Sequence, residues 1–413
     1  MKVCLVNIYY RQEEYPNRYS LAVLRLGEYL ESFGYDVDFV PIDLNKYQEF
    51  DVRNIISKKY DLIGFSTYSW VLEAVKELLN KIKSIDNKTD IIIGGPEVDN
   101  INLEDFTREY FIIGEGEKAL KNLCDYINDG KKDVNFFDNN PNVFTKDSLT
   151  YKKIEGPIEV KNPLFTNISI SDRDFLWYET CRGCAFNCGY CGHKTRKNVE
   201  YIDLEIVKQE IINIGKNGFK KVFVIDPNFA GTKERAKKVL KYFNTYAPNT
   251  VIGLYFRPEF IDDEMIEILS KANIDHVRIG VQTTNPNVPK WIRSNDICKI
   301  INELPKLSNN NINWRGELIT GLPGDNFDGL KNSIEFMKNL NPTEFYSYHL
   351  TLIPNTPLYK LKDNYSNPLW IRADEMSRAY ESSTYSHSEL LDMLAYAKEN
   401  SDNYNVKKKM KRI

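Results

Sequence analysis

The sequence predicts an α/β protein in two successive parts, a parallel sheet wrapped by helices and then a partial (β/α)6 barrel, with a short, mostly helical C-terminal region behind them. Three observations carry this reading. Short, nearly continuous apolar runs alternate with amphipathic stretches, the pattern of parallel strands buried on both faces. The alternation occurs twice, before and after a polar, turn-rich stretch (NDGKKDVNFFDNNPN, then KIEGPIEVKNP). A chain of 413 residues is also too long for one ordinary core. The expected division is residues 1–135, a linker over 136–173, the barrel over 174–355 and the helical region over 356–413.

In the first part, VCLVNI (3–8) reads as a strand. LAVLRLGEYLESFG (21–34) follows as a helix, with apolar spacing of three and four and a closing Gly34. VDFVPI (37–42), LIGFST (62–67), DIIIGG (90–95) and YFIIGEGE (110–117) read as further strands. VLEAVKELLNKIKSI and KALKNLCDYI read as helices. Small and polar residues (Ser66, Thr67, Gly94, Gly95, Gly114, Gly116) close the strands, and ligands of open α/β sheets bind at those edges. The second series has strands at FLWYETCRG, 221–226, 251–259, 276–284, 314–324 and 344–354. Its helices fall at about 202–216, 232–245, 262–272, 295–309 and 326–339. Six β/α units make an open barrel, two units short of closure. The terminal VKKKMKRI reads as a solvated basic end.

The composition is that of a soluble globular protein, with 42% hydrophobic and 27% charged residues. A formal net charge of -3 gives no general attraction to nucleic acid or to anionic membranes. No stretch approaches the eighteen or so apolar residues of a membrane span, and the N-terminus lacks the shape of a signal peptide. The expected location is the cytoplasm, where clustered thiols mean metal or redox chemistry rather than structural disulfides.

Four of the seven cysteines lie in TCRGCAFNCGYCGH, residues 180–193. A zinc site wants two cysteine pairs separated by a dozen or more residues, and here the gap is three. The bacterial ferredoxin order, Cys-x2-Cys-x2-Cys-x3-Cys-Pro, differs from this one. The remaining reading is a four-iron, four-sulfur cluster on three thiolates, with one iron open to a ligand. Cys184-x3-Cys188-x2-Cys191, with Tyr190 before the last cysteine, resembles the signature of the radical S-adenosylmethionine superfamily. The resemblance implies a [4Fe–4S] cluster on Cys184, Cys188 and Cys191 whose open iron chelates S-adenosylmethionine. It implies reductive cleavage to a 5′-deoxyadenosyl radical that abstracts hydrogen from carbon.

Flanking residues narrow the resemblance to the cobalamin-binding branch. GluThrCysArgGlyCys (179–184) is similar to that branch's Glu-Thr-Ser-Arg-Gly-Cys, with Cys181 in the serine position as an inert replacement. IDPNFAGTKERAKKVL (225–240), FRPEFIDDEMIEIL (256–269), IGVQTTNP (279–286) and ITGLPGDNFDGL (319–330) resemble its successive strand ends. By that resemblance Tyr190, Asp226, Pro227, Arg257, Glu259, Gln282, Thr283, Gly321 and Leu322 contact S-adenosylmethionine. The residues alone leave open a helix cap at Asp226 and an ion pair between Arg257 and Glu259.

The first part then resembles a Rossmann-like (flavodoxin-like) cobalamin-binding domain. The implied cobalamin contacts are Thr67, Tyr68, Ser69, Trp70, Gly94, Gly95, Pro96, Glu97, Gly114, Glu115 and Gly116. The Asp-x-His-x-x-Gly cobalt-ligating motif is missing, and the four histidines all lie beyond residue 190. The implied activity is C-methylation of an unactivated carbon in a natural-product or peptide substrate, with an electron donor such as flavodoxin or ferredoxin. Radical rearrangement, cyclisation, dehydrogenation or epimerisation, and a non-catalytic cobalamin- or redox-sensing protein, are the alternatives.

Overall fold

The computed structural model describes residues 1–9, 20–45, 49–68, 71–148, 150–153, 174–195, 198–374 and 376–410. These form two compact units, Met1–Trp177 and Tyr178–Ile413.

The first unit is a six-stranded sheet of β1 (Lys2–Tyr9), β2 (Asp36–Asp43), β3 (Leu62–Ser66), β4 (Asp90–Gly94), β5 (Tyr110–Ile112) and β6 (Val143–Phe144). Their spatial order is β2-β1-β3-β4-β5-β6. The first five pair in parallel, and β6 adds an antiparallel edge. Alternate residues feed two separate cores. Cys4, Val6, Ile63, Phe65, Ile91 and Ile93 pack on one face, and Val3, Leu5, Leu62, Ile92, Tyr110 and Ile112 on the other. Burial on both faces explains why these strands read as continuous apolar runs. The helix Leu21–Glu31 opens where the Ser20 hydroxyl accepts from the Val23 N–H at 3.3 Å. A helix at Glu49–Ser57 was not foreseen: Val52, Ile55 and Ile56 follow the i, i+3, i+4 spacing and pack on the core, but over a single turn, too short a run to stand out. This strand order is the flavodoxin-like doubly wound one, with its switch point between β1 and β3.

The second sheet opens on β7 (Leu176–Tyr178), the strand within which the two units divide, and continues with β10 (Lys221–Val224), β11 (Val251–Phe256), β12 (Ile274–Gln282), β13 (Trp314–Thr320) and β14 (Glu344–His349). They are arranged strictly in chain order, β7-β10-β11-β12-β13-β14, and the pairs from β10 to β14 are parallel. Between β7 and β10, the two-residue strands β8 (Cys181–Arg182) and β9 (Glu200–Tyr201) pair antiparallel and bracket the cysteine loop. The C-terminal region adds the antiparallel pair β15 (Ile371–Ala373) and β16 (Ala379–Ser382) before the helix His387–Met410. That helix covers the β14 edge. Asn405 Oδ1 accepts from the Phe345 N–H and its Nδ2 donates to the Phe345 carbonyl, both at 3.0 Å. The pair satisfies backbone groups that an open edge would expose. No helix among the described residues is long and apolar enough to cross a membrane.

Candidate functional site

The cysteine loop is fixed by its glycine. The Gly189 N–H donates to the Ile292 carbonyl at 3.0 Å, and the Gly189 carbonyl accepts from the Leu358 N–H at 2.9 Å. A Cβ there would sit 2.8 Å from the Trp291 ring and 2.9 Å from the Trp291 carbonyl, so only glycine lets these segments close on the loop.

Each of the three expected ligands has its own donor. The Phe186 backbone N–H donates to the Cys184 sulfur and the His193 backbone N–H to that of Cys191. Cys188 Sγ accepts from Arg293 Nη1 at 3.4 Å and from Arg257 Nη1 at 3.6 Å. Burial pushes the Cys184 thiol up and that of Cys191 up to about 11, and each of the two also feels the charge of Cys188. Iron binding at these positions therefore displaces protons. No three described His, Cys, Asp or Glu side chains converge on a single ion. Three cysteines in one short loop, each with its own hydrogen-bond donor, could serve as the thiolate ligands of an iron–sulfur cluster.

Cys181 belongs to a different environment. It is 1% exposed, it pairs with Tyr201 across β8 and β9, and burial, reinforced by the nearby Asp226 carboxylate, pushes its thiol up. Its place in the strand β8, outside the loop that carries Cys184, Cys188 and Cys191, sets it apart from those three.

Asp226 is fully buried. Its Oδ1 accepts from the Thr180 N–H at 2.7 Å and the Cys181 N–H at 3.1 Å. Its Oδ2 accepts from the Thr180 hydroxyl at 2.6 Å and the Ala230 N–H at 2.8 Å. The carboxylate is consumed in tying the end of β7 to the loop after β10, and Pro227 follows in that loop. The side chain therefore positions the approach to the cysteine loop. Arg257 and Glu259 form the bidentate pair that the sequence left open, at 3.0 and 2.6 Å, while Arg257 also reaches Cys188.

Among the described residues, Gln282 Oε1 and Asn228 Nδ2 are buried with no hydrogen-bond partner. Gln282 ends β12 in the left-handed region, at φ 72°, beside the register shift between Gly280 and Gln282. Strain of this kind collects at ligand sites. Asn228 is 3% exposed and spends its oxygen on the Arg257 N–H at 2.9 Å. Of the other expected contacts, Thr283 Oγ1 caps the Asn285 N–H at 3.0 Å and Leu322 is fully buried. The Gly321 carbonyl accepts from the Tyr385 hydroxyl at 2.5 Å. Burial pushes the Tyr190 phenol up, and it shares its surroundings with Cys188, Cys191 and Arg293. The sequence missed Asn228 and Arg293. Asn228 lies inside the quoted IDPNFAGTKERAKKVL, so its position beside Asp226 was the available signal.

One face of the second sheet is polar. Tyr255, Arg278, Arg315 and Glu344 stand in register across β11 to β14. Arg278 Nη1 donates to the Tyr255 hydroxyl at 3.1 Å, and Arg315 Nε to Glu344 Oε1 at 2.7 Å. The intervening residues Val277, Ile279, Leu318 and Phe345 are buried apolar side chains.

In the first unit, the expected cobalamin contacts gather on the C-terminal ends of the adjacent strands β3, β4 and β5. Gly95, Pro96 and Gly114 are exposed, and nothing lies within 4 Å of where a Gly94 Cβ would be. Bare backbone with open space suits a flat macrocycle laid across the edge. Thr67 is interior: its N–H and hydroxyl both donate to the Gly94 carbonyl, at 2.7 and 2.9 Å. Tyr68 packs on the core. Ser69 and Trp70 lie outside the described residues. Burial pushes the Glu97 carboxyl up. The Glu115 carbonyl accepts from Asn142 Nδ2 at 3.2 Å, and the Gly116 carbonyl from the Leu120 N–H at 2.8 Å.

Gly95, at φ 108°, would carry a Cβ 2.5 Å from the Thr67 carbonyl oxygen. Gly95→Ala is expected to cost about 1–3 kcal/mol and to lower cobalamin retention. Urea unfolding and the visible spectrum of purified protein measure the two, and unchanged values for both would contradict the role assigned to this edge.

Comparison with known proteins places these features. Residues 178–337 match the radical SAM superfamily, and residues 17–124 match the B12 binding domain. The chain is 22% identical over 329 residues to the 2-(S-pantetheinyl)-carbapenam-3-carboxylate methyltransferase of Streptantibioticus cattleyicolor, a match covering 72% of this chain and 48% of that protein. The chain thus spans about half the length of that enzyme. Two solved structures share the fold. The radical S-adenosylmethionine methyltransferase TsrM of Kitasatospora setae, with tryptophan substrate and aza-SAM bound, aligns at TM-score 0.71 and 16% identity over 95% of this chain and 88% of its own. The cobalamin-dependent S-adenosylmethionine radical enzyme OxsB, with aqua-cobalamin and S-adenosylmethionine bound, aligns at TM-score 0.74 and 18% identity over 95% of this chain and 66% of its own.

Proposed function

We infer that this chain, a member of the cobalamin-binding radical S-adenosylmethionine enzyme family with a [4Fe–4S] cluster, S-adenosylmethionine and cobalamin as its cofactors, is a methyltransferase acting on an unactivated carbon of a small polar substrate. The observation that carries the reading is the cysteine loop: three thiols, each with a hydrogen-bond donor, and a fourth cysteine turned into the interior. Three protein ligands leave one iron of four available, as catalytic metal sites keep an open position.

When bound, the cluster would supply a low-potential electron and cobalamin a methyl group. Cys184, Cys188 and Cys191 hold the iron. Asp226 fixes the backbone that leads into their loop. Gln282 Oε1 and Asn228 Nδ2 offer one acceptor and one donor to the polar atoms of S-adenosylmethionine, which would end their isolation. The Arg257–Glu259 pair and the Pro227 turn complete that surface, with Tyr190, Thr283, Leu322 and the buried Gly321 supporting it from beneath. Thr67 and Tyr68, the Gly94–Glu97 segment and the Gly114–Gly116 segment would carry cobalamin. The polar sheet face of Tyr255, Arg278 and Arg315 suits a substrate with polar groups, of natural-product or peptide type. An electron donor such as flavodoxin or ferredoxin supplies the cluster.

The test is anaerobic turnover with S-adenosylmethionine labelled in its methyl group, with candidate substrates analysed by mass spectrometry. Labelled methyl in a product is the expected result. A modified product that never carries the label, formed together with 5′-deoxyadenosine, would replace methylation with a radical rearrangement or dehydrogenation.

A further inference from the structure

We propose that Arg293 raises the reduction potential of the cluster by holding an unpaired positive charge against Cys188. The proposal goes beyond cofactor binding and rests on Cys188 being a cluster ligand.

Two guanidiniums touch this sulfur, and they are not equivalent. Arg257 is neutralised by the bidentate Glu259 carboxylate and spends Nη2 also on the Ser294 carbonyl at 2.8 Å. Arg293 has neutral partners: Nε donates to Asn295 Oδ1 at 3.0 Å and Nη2 to the Gly280 carbonyl. Asn295 is itself anchored, donating to the Val281 and Thr283 carbonyls at 2.7 and 2.8 Å. The guanidinium is therefore aimed from the end of β12, and among the described residues no carboxylate pairs with it. It is 6% exposed, so solvent and salt screen it little. Cluster potentials follow net charge and the hydrogen bonds to the sulfurs. A fixed positive charge favours the form that has gained an electron. In that step one electron passes from an external low-potential donor to the oxidised cluster, and no covalent bond is made or broken.

The experiment is a mediated redox titration of the anaerobically reconstituted full chain without S-adenosylmethionine, followed by the electron paramagnetic resonance of the reduced cluster. Arg293→Met is expected to lower the midpoint so that the reduced-to-oxidised ratio at a fixed poise falls about tenfold, which is 59 mV for one electron. Arg293→Lys, which keeps the charge, should restore most of it. Joint removal of the neutral pair, Arg257→Met with Glu259→Gln, should shift the midpoint less than Arg293→Met does. Should Arg293→Met fail to take up iron, Arg293→Gln keeps a donor for the Gly280 carbonyl while losing the charge, and the same readings decide. An unchanged midpoint, with the effect confined to affinity for S-adenosylmethionine, overturns the proposal. A Cys188→Ala protein that keeps its full iron content overturns the ligand assignment instead.

Discussion

Alanine at Cys184, Cys188 or Cys191 should each remove the iron, whereas alanine at Cys181 should leave it in place. The wild-type chain is expected to carry about four irons, and each of the three variants almost none. Formation of 5′-deoxyadenosine should fall by more than ~100-fold, beyond the 10–100-fold usual for changes one shell out from a metal. The contrast with Cys181 follows from where each sulfur sits. Cys184, Cys188 and Cys191 are partly exposed in one loop and receive hydrogen bonds on sulfur from Phe186, from Arg257 and Arg293, and from His193. Cys181 is buried in β8, outside that loop, with its N–H donated to Asp226. Cys181→Ala removes one buried sulfur, a change of about 1 kcal/mol, and leaves the backbone pairing to Tyr201 untouched. Iron analysis and the visible spectrum after anaerobic reconstitution measure all four variants. Iron loss in Cys181→Ala as complete as in Cys184→Ala would mean that the loop binds metal through four thiolates, and the open-iron argument would fall.

The parallel strands and the cysteine spacing were legible because each leaves a local trace. A strand buried on both faces is a continuous apolar run, and β3, β4, β10 and β11 read so. Three ligands within eight residues need no fold to bring them together. The missed features are the ones assembled across the chain. Arg293 meets Cys188 from 105 residues away, on a stretch between β12 and the helix Ile297–Asn309 with no periodicity of its own. The β8–β9 pair is two residues long on each side, too short for alternation to register. Asp226 was visible as a residue, but its role was ambiguous, since a buried latch and a cofactor contact look alike until the donors are placed. Gln282 was named as a contact from its position at the strand end. Its left-handed backbone and unpartnered oxygen are properties of the folded chain alone.

Asp226→Asn is expected to be the most destabilising single change near the site. The wild-type carboxylate satisfies four donors from two segments. An asparagine can keep its oxygen toward the Thr180 and Cys181 N–H groups, and the Thr180 hydroxyl can rotate to accept from the new amide. The Ala230 N–H cannot rotate, so one buried donor is left facing another. An unsatisfied buried group and a lost charge-assisted bond together cost about 2–4 kcal/mol. Because the two segments frame the cysteine loop, iron uptake should fall with stability, although no ligand has been altered. The pH dependence separates this from a general loss of packing. Burial pushes the Asp226 carboxyl up to about 6 despite its hydrogen bonds. A carboxyl whose folded value lies above its unfolded one adds stability that is present below the unfolded value and is lost as pH rises through about 6. Asparagine does not titrate. The stability gap between wild type and Asp226→Asn should therefore widen by about 1 kcal/mol on going from pH 7.5 to pH 5, measured by urea unfolding of the iron-free chain. A gap that narrows over that range would show that the carboxylate is favoured by its four donors more than burial disfavours it, and Asp226 would then hold the loop as an ion stabilised in place.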